Sequence, residues 1–234
     1  MAYTIINSYI PTTLYPLKAP YTMVPESITI HNTANDATAA NEIAYLKNNS
    51  AATSYHVAVD DKQVIQAIPF TRNAFAAGDG ATGKGNRSSI HIEICYSKSG
   101  GSKYTAAEAN AIEYVAHLLK QYGWGIDRVK WHKDWPRPTD GYRKNCPHRI
   151  LDEGRAQSVK DRIAAKLKEL NAPKKEEVKV ANVEYEKDAK VGPALAKEFE
   201  LAKKAGITDG TYPNRPGTRA EMAVMIYRAT KSKD

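Results

Sequence analysis

The chain has 234 residues, 42% hydrophobic and 26% charged, with 34 Lys+Arg against 26 Asp+Glu for a net charge of +8. That length supports one full core plus an appendage, and the balance excludes fibrous and wholly disordered chains. No run approaches the ~18 consecutive apolar residues of a membrane span, and Cys95 and Cys146 are too few for a disulfide framework.

The first positive charge is Lys18, so the start lacks the basic and apolar regions of a secretory signal, and synthesis in the cytoplasm is expected. A pI near 9.3 points to an anionic partner, for which nucleic acid, a membrane surface and an anionic cell-wall polymer all qualify. No aromatic and basic motif of the nucleic-acid-binding kind is present.

In chain order, Ser27-Ile28-Thr29-Ile30-His31 alternates as a strand, and residues 37–47 read as a helix opening after Asp36. Residues 55–59 and 63–68, joined by Asp60-Asp61-Lys62, read as a hairpin. In 89–96 the isoleucines 90, 92 and 94 share one strand face and His91, Glu93 and Cys95 the other. The Gly-rich run 78–87 lacks the G-x-x-x-x-G-K-[ST] form of a phosphate cradle and precedes a strand, so it reads as a flexible loop.

A helix over 106–122 starts from a capping box of Thr105 and Glu108 and stops at Gly123. Residues 129–132 form a short strand ending at His132, and 156–170 a closing helix. The class is therefore α/β, a central mixed β-sheet flanked by helices over 1–170.

Residues 171–190 are rich in mixed charge, open on Pro173 and read as a linker. Basic residues number 21 against 16 acidic before position 171 and 13 against 10 from it onward, so neither part is a charge tail. Beyond the linker, 194–205 and 218–229, the latter capped by Thr218 and Glu221, predict a small helical hairpin over 191–234.

His31 and His132 end predicted strands, and Cys146 follows in Lys144-Asn145-Cys146-Pro147-His148. Two imidazoles and a thiolate suit zinc, and three protein ligands leave a fourth position for water. There is no C-x-x-C or H-E-x-x-H, so spacing alone leaves the set open, with His148 an alternative to Cys146. His117 lies off the apolar stripe of its helix and reads as a surface residue; Cys95 reads as a small buried apolar one.

Four motifs appear in one order: Ile28-Thr29-Ile30-His31-Asn32-Thr33, Ser54-Tyr55-His56-Val57-Ala58-Val59-Asp60-Asp61, Asn86-Arg87-Ser88-Ser89-Ile90-His91-Ile92-Glu93-Ile94-Cys95-Tyr96, and Trp131-His132 with Lys144-Asn145-Cys146-Pro147-His148-Arg149. Together they resemble the zinc-dependent N-acetylmuramoyl-L-alanine amidases of type 2, which share the fold of peptidoglycan-recognition proteins, and in particular phage and prophage endolysins of Bacillus-like hosts. The resemblance implies zinc on His31, His132 and Cys146, Glu93 as general base, Lys144 as oxyanion stabiliser, and Tyr55 as a catalytic or water-orienting residue. It implies a structural role for His56. It also implies peptidoglycan as partner and action on the wall after release.

This chemistry needs those groups, because zinc acidifies water to a pKa of about 7, a carboxylate moves its proton and an ammonium offsets charge on the carbonyl oxygen. A Cys/His nucleophile would leave Glu93 and Lys144 without roles. A non-catalytic recognition module is the rival expectation, and the presence of Cys146, Glu93 and Lys144 favours the enzyme. The segments Gly206-Ile207-Thr208-Asp209-Gly210 and Thr218-Arg219-Ala220-Glu221-Met222 resemble part of a surface-layer homology motif, which implies an anionic secondary cell-wall polymer as partner. The segment 191–234 is too small to hold much core alone, so it is expected to form a homodimer, to pack on the amidase domain or to bind polymer only as a multimer.

Overall fold

The computed structural model describes residues 3–172, 190, 192–193 and 195–208. The chain separates into two compact units, Met1–Pro173 and Lys174–Asp234. In the first, strands β1 (Thr4–Asn7), β2 (Ser27–Asn32), β3 (Val57–Val59), β4 (Gln63–Gln66), β5 (Ser89–Ile94) and β6 (Val129–Trp131) form one sheet in the order β1-β4-β3-β5-β2-β6. Only β3 and β4 run antiparallel, because a short turn joins them; every other neighbour is parallel. The sheet is mixed and carries helices, as the alternating pattern predicts.

Strand β2 is buried at all six positions, as a central parallel strand requires. Ile28 and Ile30 stand opposite Ile90 and Ile92 of β5. All four join one core with Val115 and Leu119 of α4 (Gly101–Tyr122) and Ile163 of α6 (Ala156–Asn171). The alternate positions, Thr29 and His31 on β2 and His91 and Glu93 on β5, therefore share the other face.

Several expected boundaries shift. Helix α2 (Ala39–Asn48) follows α1 (Tyr15–Lys18) and opens at Thr38, whose hydroxyl accepts the Asn41 N–H; Asp36 instead accepts from the Ser99 amide and hydroxyl. Helix α4 begins a full turn before Thr105, whose hydroxyl bonds the Gly101 carbonyl, while Glu108 pairs with Arg155 and Arg162 of α6 and its approach. The proposed capping box is thus a helix interior, and Gly123 ends the helix in a left-handed turn as expected.

The Gly-rich run is ordered by Asp79, whose carboxylate accepts the Gly85 and Asn86 amides and starts the short helix α3 (Lys84–Ser88). It is therefore not an open loop: its last residues form α3, which leads directly into β5 as the expected strand. Edge strand β1 carries no alternation in burial, which is why pattern alone does not reveal it. Helix α5 (His148–Asp152) follows the candidate ligand loop. In the second unit, α7 (Ala196–Lys204) lies within the predicted 194–205 helix. Residues 173–189 of the linker and the second helix over 218–229 fall outside the described residues.

Candidate active site

Register brings the site together. Ile30 pairs with Trp131 and His31 with Glu93, so His132, the residue after β6, comes level with His31. The row His132, His31, Glu93 crosses the carboxyl ends of three adjacent parallel strands, where ligands of open α/β sheets bind.

His31 Nδ1 lies 3.0 Å from His132 Nδ1 and 3.9 Å from Cys146 Sγ. The three donor atoms all fall within 4.8 Å of one another, and all three residues are buried. Tetrahedral zinc with N bonds of 2.0–2.1 Å and an S bond near 2.3 Å sets donor separations of about 3.3–3.6 Å. The set fits a zinc-sized ion after a closing movement of the thiol of about an ångström. Cys146 is placed by the Asn32 amide on its sulfur at 3.4 Å and the Lys133 amide on its carbonyl at 3.1 Å. His148 turns instead to the Ser97 carbonyl, which removes it from the donor set.

Burial holds the imidazoles neutral: His132 is lowered to about 4, with Lys144 adding to the effect, and His31 lies well below its ordinary value. Burial and the Glu93 charge push the Cys146 thiol up to about 12. Glu93 itself is raised to about 8, by burial first and by the neighbouring Glu42 charge second, against the opposing pull of Lys144. Its side chain is 16% exposed, Oε1 stands 4.0 Å from His31 Nδ1, and the buried Oε2 has no hydrogen-bond partner. An unpartnered carboxylate oxygen beside three converging donor atoms is what a bound ion, water or substrate proton would satisfy.

Lys144 is exposed and lines a cleft of about 290 Å³ with His132, Phe75, Trp135, Arg137 and Tyr142. The loop from Asp134 to Arg143 therefore does more than connect two candidate ligands. A second cleft, of about 620 Å³, has Glu93, Tyr55, Glu42, Tyr45 and Asn35 in its wall and shares Thr53 with the first. Tyr55 is buried, and its hydroxyl donates to the Glu42 carbonyl at 2.9 Å and carboxylate at 3.2 Å. Glu42, which sequence reasoning did not single out, also accepts from Asn35 at 2.6 Å; a lone glutamate in an amphipathic helix carries no signal of such a role.

His56 bonds the Arg72 carbonyl and the His91 amide from a fully buried position, as a structural residue would. Cys95 is fully buried, its thiol raised by desolvation. His117 sits half-way to solvent near Glu113.

A family model described as N-acetylmuramoyl-L-alanine amidase matches residues 21–149, a span that holds every residue of this site. The chain belongs to that amidase family. It is 60% identical over 170 residues to the N-acetylmuramoyl-L-alanine amidase CwlA of Bacillus subtilis (strain 168), covering 73% of this chain and 60% of CwlA. It is 57% identical over 171 residues to the amidase XlyB of the same organism, covering 73% of this chain and 52% of XlyB. The chain thus spans less than two thirds of either relative. Among solved structures, PlyL superposes with a TM-score of 0.64 at 48% identity, over 68% of this chain and 96% of PlyL. The PlyG catalytic domain gives 0.64 at 45%, over 72% and 98%. These family members share the mixed-sheet fold described above.

Proposed function

We propose that this chain is an endolysin-like peptidoglycan hydrolase that cleaves the amide between N-acetylmuramic acid and L-alanine, with zinc held by His31, His132 and Cys146. The observation that carries this reading is the unpartnered Glu93 oxygen beside three converging donor atoms, between two clefts. When bound, zinc supplies a Lewis acid that polarises a carbonyl and acidifies water to near neutral pH.

Glu93 takes the proton of the attacking water and delivers it to the departing amine. Its unpartnered oxygen is free for both halves of that transfer. Lys144, in the wall beside His132, places positive charge where the carbonyl oxygen becomes negative. Tyr55 assists from a distance by fixing Glu42, the second carboxylate of the larger cleft. The two clefts offer separate room for the glycan and the stem peptide.

In this reading 1–170 is the catalytic domain, 171–190 a linker and 191–234 a wall-polymer contact or a dimer contact. Exposed Leu195, Leu201 and Ile207 in and beside α7 support a binding role for the last segment. No described helix is long and apolar enough to cross a membrane; the place of action is the cell wall.

Mass spectrometry of digested walls tests the bond specificity. Stem peptides with a new L-alanine N-terminus are expected, whereas new reducing sugar ends would make the protein a glycosidase. Zinc is tested by chelation and by Cys146→Ser, which should release the metal because the soft thiolate is lost. Full lysis by metal-free protein would reject the zinc role.

A further inference from the structure

His91 is fully buried next to the donor set, and the mechanism above gives it no task. Its ring Nε2 lies 3.0 Å from the Gly85 carbonyl, which can only accept, so that nitrogen carries the proton. A neutral imidazole has one N–H, and neither ring partner of His91 offers the counter-charge that a buried imidazolium would need. Nδ1 is therefore a lone-pair acceptor. It stands 3.0 Å from His31 Nε2, which must supply the proton of that contact. His31 is left with a bare Nδ1, the atom that faces His132 and Cys146.

We propose that His91 is a positioning residue for the metal centre: by accepting the Nε2 proton of His31, it fixes the His31 tautomer and ring orientation in which Nδ1 is free to bind metal. Metal-bound histidines usually donate their second N–H to a carboxylate, a carbonyl or water. Here an imidazole is interposed, and the carbonyl lies one step further out. The anchor is built deliberately, since Asp79 holds the Gly85 amide at 2.6 Å and the Asn86 amide at 3.1 Å. Gly85 itself admits no side chain: a Cβ would lie 2.6 Å from Ala77 Cβ and 2.7 Å from Trp135 Cδ2. His56, donating to the Arg72 carbonyl through Nε2 and accepting the His91 amide through Nδ1, locks the strand position of His91 by the same logic. The Asp79–Gly85 loop, remote in sequence from His31, thus sets the ligand's protonation site.

The inference rests on His31 being a metal ligand, and the tests separate the two. In full-length metal-free wild type, nitrogen-15 NMR of the imidazoles should show His31 protonated at Nε2 and bare at Nδ1; the opposite tautomer overturns the proposal without any variant. Zinc affinity by chelator competition should fall about 10–100-fold in His91→Leu. It should recover largely in His91→Asn, whose side-chain oxygen can accept from His31. Cobalt-substituted His91→Leu should also show altered ligand-field bands. A folded His91→Leu that holds zinc within twofold of wild type, with unchanged cobalt bands, overturns this role alone. A wild type that binds no zinc overturns the metal reading as well. If His91→Leu fails to fold, the wild-type tautomer and His91→Asn decide.

Discussion

Glu93 and Tyr55 open on the same cleft, but their polar atoms are in different states: one Glu93 oxygen is unpartnered, while the Tyr55 hydroxyl is engaged by Glu42. Glu93→Gln should therefore keep fold and metal while losing about 10²–10⁴-fold in turnover, since proton transfer alone is removed. Tyr55→Phe should lose less than about tenfold, because the hydroxyl touches no reacting atom. Steady-state rates on a soluble muropeptide compare them, and a dead Tyr55→Phe beside an active Glu93→Gln would reverse the assignment. A second expectation concerns protons. Without metal, His31 and His132 are already neutral, whereas Cys146 (about 12) and Glu93 (about 8) hold theirs at pH 7. A dication needs the thiolate and draws off the carboxyl proton, so binding releases about one to two protons and affinity rises about 10–100-fold per pH unit near neutrality. Titration calorimetry in buffers of different ionisation enthalpy measures the number released; none released would contradict the ligand role of Cys146.

At the scale of elements, Glu108 shows how a correct local pattern leads to a wrong partner. Thr105-x-x-Glu108 has the form of a capping box, yet α4 runs a turn further back and buries Glu108 against Arg155 and Arg162, both at 2.8 Å. Both arginines are a third to a half exposed and can return to water, so Glu108→Ala should cost about 1–2 kcal/mol rather than the 3–5 of a fully buried pair. Thr105→Ala should stay within about 0.5 kcal/mol, as at an ordinary surface position. Urea denaturation distinguishes the two, and a costly Thr105→Ala would restore the cap. The interior strands β2 and β5 were legible because burial enforces their isoleucine alternation, and Gly123 because only a left-handed turn ends α4 there. Edge strand β1 and the Asp79-capped loop were not, since one lacks a buried face and the other depends on a side chain closing onto amides six and seven residues ahead. The donor set was legible only through resemblance. His31 lies 101 residues from His132 and 115 from Cys146, a distance closed by sheet register rather than by any local spacing. His91 was visible on the polar face of its strand, but its partner across the sheet was not.

At the scale of the molecule, the division after Pro173 leaves every proposed catalytic and metal-binding residue in the first unit, together with the whole described sheet and its core. A chain truncated after residue 173 has the length to bury its own core, so it should fold and hydrolyse soluble muropeptides at near full-length rates. Intact walls pose a different problem. If residues 191–234 contact wall polymer or a second copy, their loss removes an avidity that no active-site contact replaces, and more enzyme should be needed for the same lysis. The loss also removes an excess of three positive charges beyond position 170, which weakens attraction to an anionic wall most strongly at low salt. Gel filtration and wall pull-down of both chains separate the sources: a dimer that becomes a monomer identifies assembly, and lost pull-down at unchanged mass identifies direct binding. Unchanged mass, pull-down and lysis after truncation would show that the second unit contributes to neither.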